Sequence, residues 1–178
     1  MIRNLTLVRP VIDEKRPLRI YSVAAVESGT AIITSLQDVE DCVEVIAIER
    51  LPAGLDPAAR WLREAIPDLY ALDRWTRVII DAEGLGQSLW DHLQVQHRRS
   101  WILFAKRGRD RQDLVNALLV AEQERRIHIR PSPHGDAMRR ALLAYRRTVG
   151  EDGAIGGELV VALALVVTCR RPVLPRIY

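Results

Sequence analysis

Cysteine, lysine, aromatic residues and long apolar runs are all scarce in this chain of 178 residues. Each scarcity excludes something. The longest apolar run, near Leu159 to Val167, is too short to cross a bilayer. The two cysteines, Cys42 and Cys169, are far apart and have no CxxC spacing or histidine neighbour. That excludes a disulfide framework or a Cys/His zinc site and leaves two reduced thiols, which suits a cytoplasmic protein. His92, His97, His128 and His134 form no i,i+4 pair, so the helical zinc motif is missing too. No Gly-x-Ser-x-Gly or Cys/His signature points to acyl transfer. The N-terminus, "MIRNLTLVRPVIDEKRP", has acids and prolines but no clean apolar stretch before a small-residue cleavage site, so it does not read as a secretory signal. Repeats and low-complexity linkers are also missing, so the length fits one domain.

What is present is a soluble composition, 48% hydrophobic and 28% charged, with an uneven basic charge. Lys15 and Lys106 are the only lysines; every other basic residue is arginine. From Arg98 to Arg147 there are 13 Lys+Arg against 5 Asp+Glu. Arginine in that excess suits phosphate contact, with Arg98, Arg99, Lys106, Arg107, Arg109 and Arg111 as the nucleic-acid-binding candidates. Solvated helix faces would give the same composition. Trp61, Trp75, Trp90 and Trp101 are spread out, and Trp61 and Trp101 fall on apolar patterns, which favours core packing over base stacking.

Along the chain, "LRIYSVAAV" (18–26), "TAIITSL" (30–36) and "VEVIAIERL" (43–51) read as three strands with short connections, an antiparallel meander. The pattern then changes. "DPAARWLREAI" predicts a helix with Asp56 as its N-cap, and "RVIID" predicts a strand. "LGQSLWDHL" is helical, "SWILFA" a strand, and "DRQDLVNALLVAEQERR" a helix with a cap-like Asp110. "IHI" is a short strand, and "GDAMRRALLAYRRT" and "GGELVVALALVVTCRR" are helices. This order predicts an α/β mixed sheet, three antiparallel strands followed by parallel ones, with helices on both faces. The boundaries expected are an arm over 1–17, the domain over 18–169 and a proline-broken tail over 170–178. The arms "VRPVIDEKRP" and "RRPVLPRIY" suit either partner contact or ordinary chain ends.

Three stretches in this order, "VIIDAEGLGQSLWDHL", "DRQDLVNALLVAEQERRIHI" and "AIGGELVVALALVV", resemble the nuclease domain of the phage terminase large subunit, which has the RNase H-like fold. The resemblance spans about residues 18–178, as a stand-alone unit without the ATPase domain that precedes it in a full terminase. It implies a phage or prophage origin, a bacterial host cytoplasm, DNA as substrate, packaging or assembly proteins as partners, and no membrane.

The resemblance also implies a site. Nucleases of this fold clamp the scissile phosphate between two metal ions about 4 Å apart, and magnesium or manganese needs several convergent carboxylates. The first acid would stand near Ala24, which carries no ligand atom. The second is Asp81. The third belongs near 156–158, where only Glu158 keeps a carboxylate. Asp81 and Glu158 are therefore the remnant catalytic and metal residues, with Glu27 and Glu83 as nearby further candidates. The expectation is a degenerate site: no cofactor, or weakly bound Mg2+ or Mn2+, and a pseudonuclease that binds DNA or protein. The alternative is an active or weakened two-metal endonuclease. Asp81 also suits an N-cap or a turn before the next helix, and Glu158 suits the positive end of a helix without any metal. "GLGQSL" lacks the third glycine of a dinucleotide loop.

Overall fold

The computed structural model describes residues 15–26, 29–66, 69, 71–93, 100–104, 109–148 and 157–169, with the side chains at 26, 109–112, 115 and 145–148 excepted. Among the described residues, eleven elements follow one another. The three apolar stretches at the start form Leu18–Val26 (β1), Gly29–Gln37 (β2) and Val43–Leu51 (β3), paired antiparallel as a meander. Then come Leu55–Ala65 (α1), Thr76–Asp81 (β4), Gly86–His92 (α2) and Trp101–Phe104 (β5). Arg109–Gln123 (α3), Ile127–Ile129 (β6), Pro133–Thr148 (α4) and Gly157–Thr168 (α5) complete the order. The sheet runs β5-β4-β1-β2-β3-β6, and β4, β5 and β6 each join a parallel neighbour. This is the mixed sheet expected from the sequence.

Two cores lie on its two faces. One gathers Tyr21, Val23, Ile32, Val78 and Ile80 under α1 and α2. The other gathers Ile20, Ala24, Ala31, Ile33 and Ile79 under α3, α4 and α5. Central strands covered on both sides need no polar face, so β2 is buried almost throughout. Every residue of α5 from Leu159 to Val166 is buried, as its lack of a polar face requires. Three of the four tryptophans are buried, and Trp90 meets Trp101 edge to face at 6.1 Å. Both cysteines are free. No described helix is long and apolar enough to cross a membrane.

Helix starts are where the sequence expectation needs correcting. The N-cap of α1 is Gly54, with no side-chain cap bond, and Asp56 sits inside the first turn. Gly54 takes a φ of 121°, which only glycine adopts readily. Asp110 likewise lies inside α3, which begins at Arg109. The α4 helix starts two residues earlier than expected, because Ser132 Oγ accepts the Gly135 N–H at 2.9 Å and Pro133 suits a first helical position.

The direction of α5 matters for the site. Ser22 Oγ donates to the Ala162 carbonyl at 2.7 Å, and Gln37 Nε2 donates to the Cys169 carbonyl at 3.2 Å. Gln37 pairs with Leu18 at the start of β1. Thus α5 runs opposite to β1, and its first turn lies over the end of β1. Ser22→Ala should cost about 1 kcal/mol in a urea unfolding titration, the worth of one buried hydrogen bond.

Candidate functional site

Asp81 is the last residue of β4, the only acid in "TRVIID", and is 3% exposed. On β4 it shares a face with Ile79, which packs under α5. The β1–β4 register pairs Val23 with Ile80, so the next residues, Ala24 and Asp81, lie side by side. Ala24 pairs with Ala31 on β2, and Ala31 pairs with Arg50 on β3. A single row therefore crosses the sheet: Phe104, Asp81, Ala24, Ala31, Arg50.

Arg50 reaches this face because β3 holds one extra residue. Thr34 pairs with Ala47 but Ser35 pairs with Val45, so Ile46 has no partner and the strand bulges. A bulge flips the residues beyond it to the other face. Ile48 consequently joins the core under α5 together with Val43 and Val45, and Arg50 follows it. There Arg50 Nη2 meets Glu158 Oε1 at 2.5 Å. Glu158 lies in the first turn of α5 and its side chain is 15% exposed, against 53% for Arg50.

The opening turn after β4 is equally defined. Asp81 Oδ1 accepts the Glu83 N–H at 3.3 Å, the bond of an Asx turn. Gly86 N donates to the Glu83 carbonyl and Leu85 N to the Ala25 carbonyl, which ties the turn back to β1. Asp81 does not cap α2, whose N-cap is Leu85 without a side-chain bond. Glu83 is exposed in that turn.

So the structure brings Asp81 and Glu158 to one face and one end of the sheet, around Ala24. Glu27 lies outside the described residues. Among the described residues, no three His, Cys, Asp or Glu side chains gather closely enough to hold a metal ion. Among the described residues, the carboxylates near Ala24 are those of Asp81 and Glu158, and Glu158 is held by the Arg50 guanidinium. Arg50 was missed by sequence reasoning, which sought acids and assumed unbroken alternation in β3.

The basic half is only partly visible. Arg98, Arg99, Lys106 and Arg107 lie outside the described residues, and Arg109 and Arg111 lie on α3 with side chains undescribed. Further along, Arg126 pairs with Glu124 at 2.6 Å, Arg130 with Glu44 at 2.8 Å and Arg139 with Asp136 at 2.7 Å. Part of the local positive excess is thus balanced in place.

Compared with solved structures, the chain is similar to the large terminase nuclease from thermophilic phage G20c, crystallised with bound cobalt. The two are 15% identical over 85% of this chain and 81% of that one, with a TM-score of 0.58. It is also similar to fowlpox virus resolvase, solved with Holliday junction DNA, at 14% identity over 84% of this chain and 97% of that one, TM-score 0.42. The yeast mitochondrial Holliday junction resolvase matches at 10% identity over 84% and 77%, TM-score 0.43. No family model matches, and no curated protein sequence matches significantly. The chain has the RNase H-like fold of a phage large-terminase nuclease.

Proposed function

We propose that this chain is a terminase-nuclease-type domain that has lost metal-dependent DNA cleavage and serves phage packaging or assembly as a binding module on DNA or protein. The observation that carries the reading is the Arg50–Glu158 ion pair beside Ala24. A two-metal centre needs several carboxylates free to ligate. Here the β1 position has a methyl group, and Glu158 is engaged by a cation at 2.5 Å. The residues present do not fit two metal ions, and no catalytic step is derived through them. On this reading Asp81 and Glu158 are remnants, Asp81 serving the turn and Glu158 the docking of α5. The domain spans 18–169, with an arm over 1–17 and a tail over 170–178 available for partners, in the cytoplasm of a bacterial host.

A second reading has its own support. Asp81 keeps the buried strand-end position, and the terminase nuclease of the same fold was crystallised with cobalt. With Glu158, and with Glu27 or Glu83 recruited, a weakened endonuclease would remain. Incubation of supercoiled plasmid with manganese separates the two. The expected result is no nicking by the wild-type protein and none by Asp81→Ala. Nicking that Asp81→Ala abolishes would sink the pseudonuclease reading. DNA binding through the arginine-rich half is tested by anisotropy against salt. Log affinity should fall with log salt at about −0.9 per neutralised phosphate, and affinity indifferent to salt would remove DNA from the proposal.

A further inference from the structure

We infer that Arg50 is the resident cation of this site, standing in charge where a divalent ion would stand beside Glu158, and that its presence works against uptake of such an ion. The inference deepens the functional reading above and rests on it. Glu158 is 15% exposed in the first turn of α5, and the charge set against its carboxylate is that of Arg50. In a metal site that charge is the ion's. Here it is a guanidinium at 2.5 Å, in a charge-assisted bond to the inner carboxylate.

The placement depends on a specific device. Without the unpaired Ile46, alternation from Val45 would carry Arg50 to the opposite face, away from α5. Small residues complete the arrangement. Ala24 and Ala31 separate Asp81 from Arg50 in the row, and both are alanine. A divalent ion at Glu158 and the Arg50 guanidinium would compete for one carboxylate and repel each other. With Arg50 on Oε1, an ion on Oε2 would sit beside a fixed positive charge, so the guanidinium works against metal uptake. Removing the charge of Arg50 should open the site to metal, and restoring an acid at 24 should strengthen it.

The test uses the full chain and Mn2+ alone, with bound ion counted by electron paramagnetic resonance and stability followed by Tm. The wild-type protein should take up no Mn2+ at 1 mM, roughly the weak end of protein affinities for divalent ions, and its Tm should not move. Arg50→Gln keeps a hydrogen-bonding group near Glu158 without the charge. It should bind Mn2+ and gain about 5 °C in Tm at saturation. The double variant Ala24→Asp/Arg50→Gln should bind at least about tenfold tighter. Equal Mn2+ uptake by wild type and Arg50→Gln, or none by Arg50→Gln, overturns the role of Arg50. If Arg50→Gln does not fold, Ala24→Asp alone decides: with Arg50 in place it should still take up no Mn2+, and uptake overturns the inference. Plasmid nicking by the wild-type protein would instead defeat the functional reading, so the two failures are distinguishable.

Discussion

Gly86→Ala should destabilise the protein by about 4 kcal/mol and lower its Tm by about 10 °C. A Cβ at position 86 would lie 1.5 Å from the Asp81 carbonyl oxygen and 2.7 Å from its carbonyl carbon. Both are backbone atoms of β4, so no side chain can rotate away. Relief requires α2 to lift off the strand by more than 1 Å, an order set by ordinary van der Waals contact. That motion would stretch the Leu85 N–H bond to the Ala25 carbonyl, 3.0 Å in the native chain. It would also unseat Leu89, Trp90 and Leu93, which are buried against β4 and β5. The loss falls on the turn that shapes the Asp81 carboxylate, so stability and site geometry fail together.

Gly84 provides the control. It sits two residues earlier in the same turn, is exposed, and has a φ of 58°. Alanine there carries the left-handed backbone penalty, about 1–2 kcal/mol. Urea titrations of the two variants, followed by tryptophan fluorescence, should therefore separate by at least about 2 kcal/mol. Gly86→Ala unfolding within 1 kcal/mol of wild type, on the order of one hydrogen bond, would refute the close packing of α2 on β4.

That packing bears on how much could be read beforehand. The strands β1, β3 and β6 fall where the apolar patterns placed them. Their side chains face cores on one or both sides, and such burial writes itself into composition. The mixed topology followed from the change from meander to alternation of helix and strand. Helix starts were less legible. A capping acid is a common device, but α1 starts at a glycine whose backbone conformation does the work. The candidate site was half legible. Asp81 and Glu158 became candidates through the resemblance, and their place at one end of the sheet follows from the strand register and the direction of α5. Arg50 could not be singled out. In "VEVIAIERL" strict alternation puts Arg50 opposite Val43 and Val45, and only the pairing with β2 reveals the bulge at Ile46. A one-residue slip is invisible to a pattern of period two until the partner strand is known.

The far end of α5 makes the last prediction, a loss of stability between pH 9 and 11. Cys169 is 6% exposed just beyond the helix, and burial pushes its thiol up to about 11 from 9.0, although the Arg77 guanidinium nearby pulls the other way. In the unfolded chain the thiol ionises near 9.0; in the folded chain it stays protonated to about 11. The folded state therefore holds the proton more tightly. Its contribution is complete below pH 9 and is lost as the pH rises through 11, a difference of about 3 kcal/mol for two pKa units. Cys169→Ala should lose some packing at pH 7 but escape this decline. Groups that titrate in the window independently of Cys169 are common to both proteins and cancel. The wild-type unfolding free energy should thus fall by about 2–3 kcal/mol more than the variant's between pH 8 and 11. At pH 8 a thiol reagent should find Cys42, which is partly exposed, well before Cys169. Parallel pH profiles for the two proteins would mean that Cys169 is hydrated in the folded state. In that case the end of α5 would not be sealed against the sheet by the Gln37 bond to the Cys169 carbonyl. A sealed end would leave α5 held at both termini, by neutral burial at Cys169 and by an ion pair at Glu158. The charged end is then the one that a change of counter-ion can loosen.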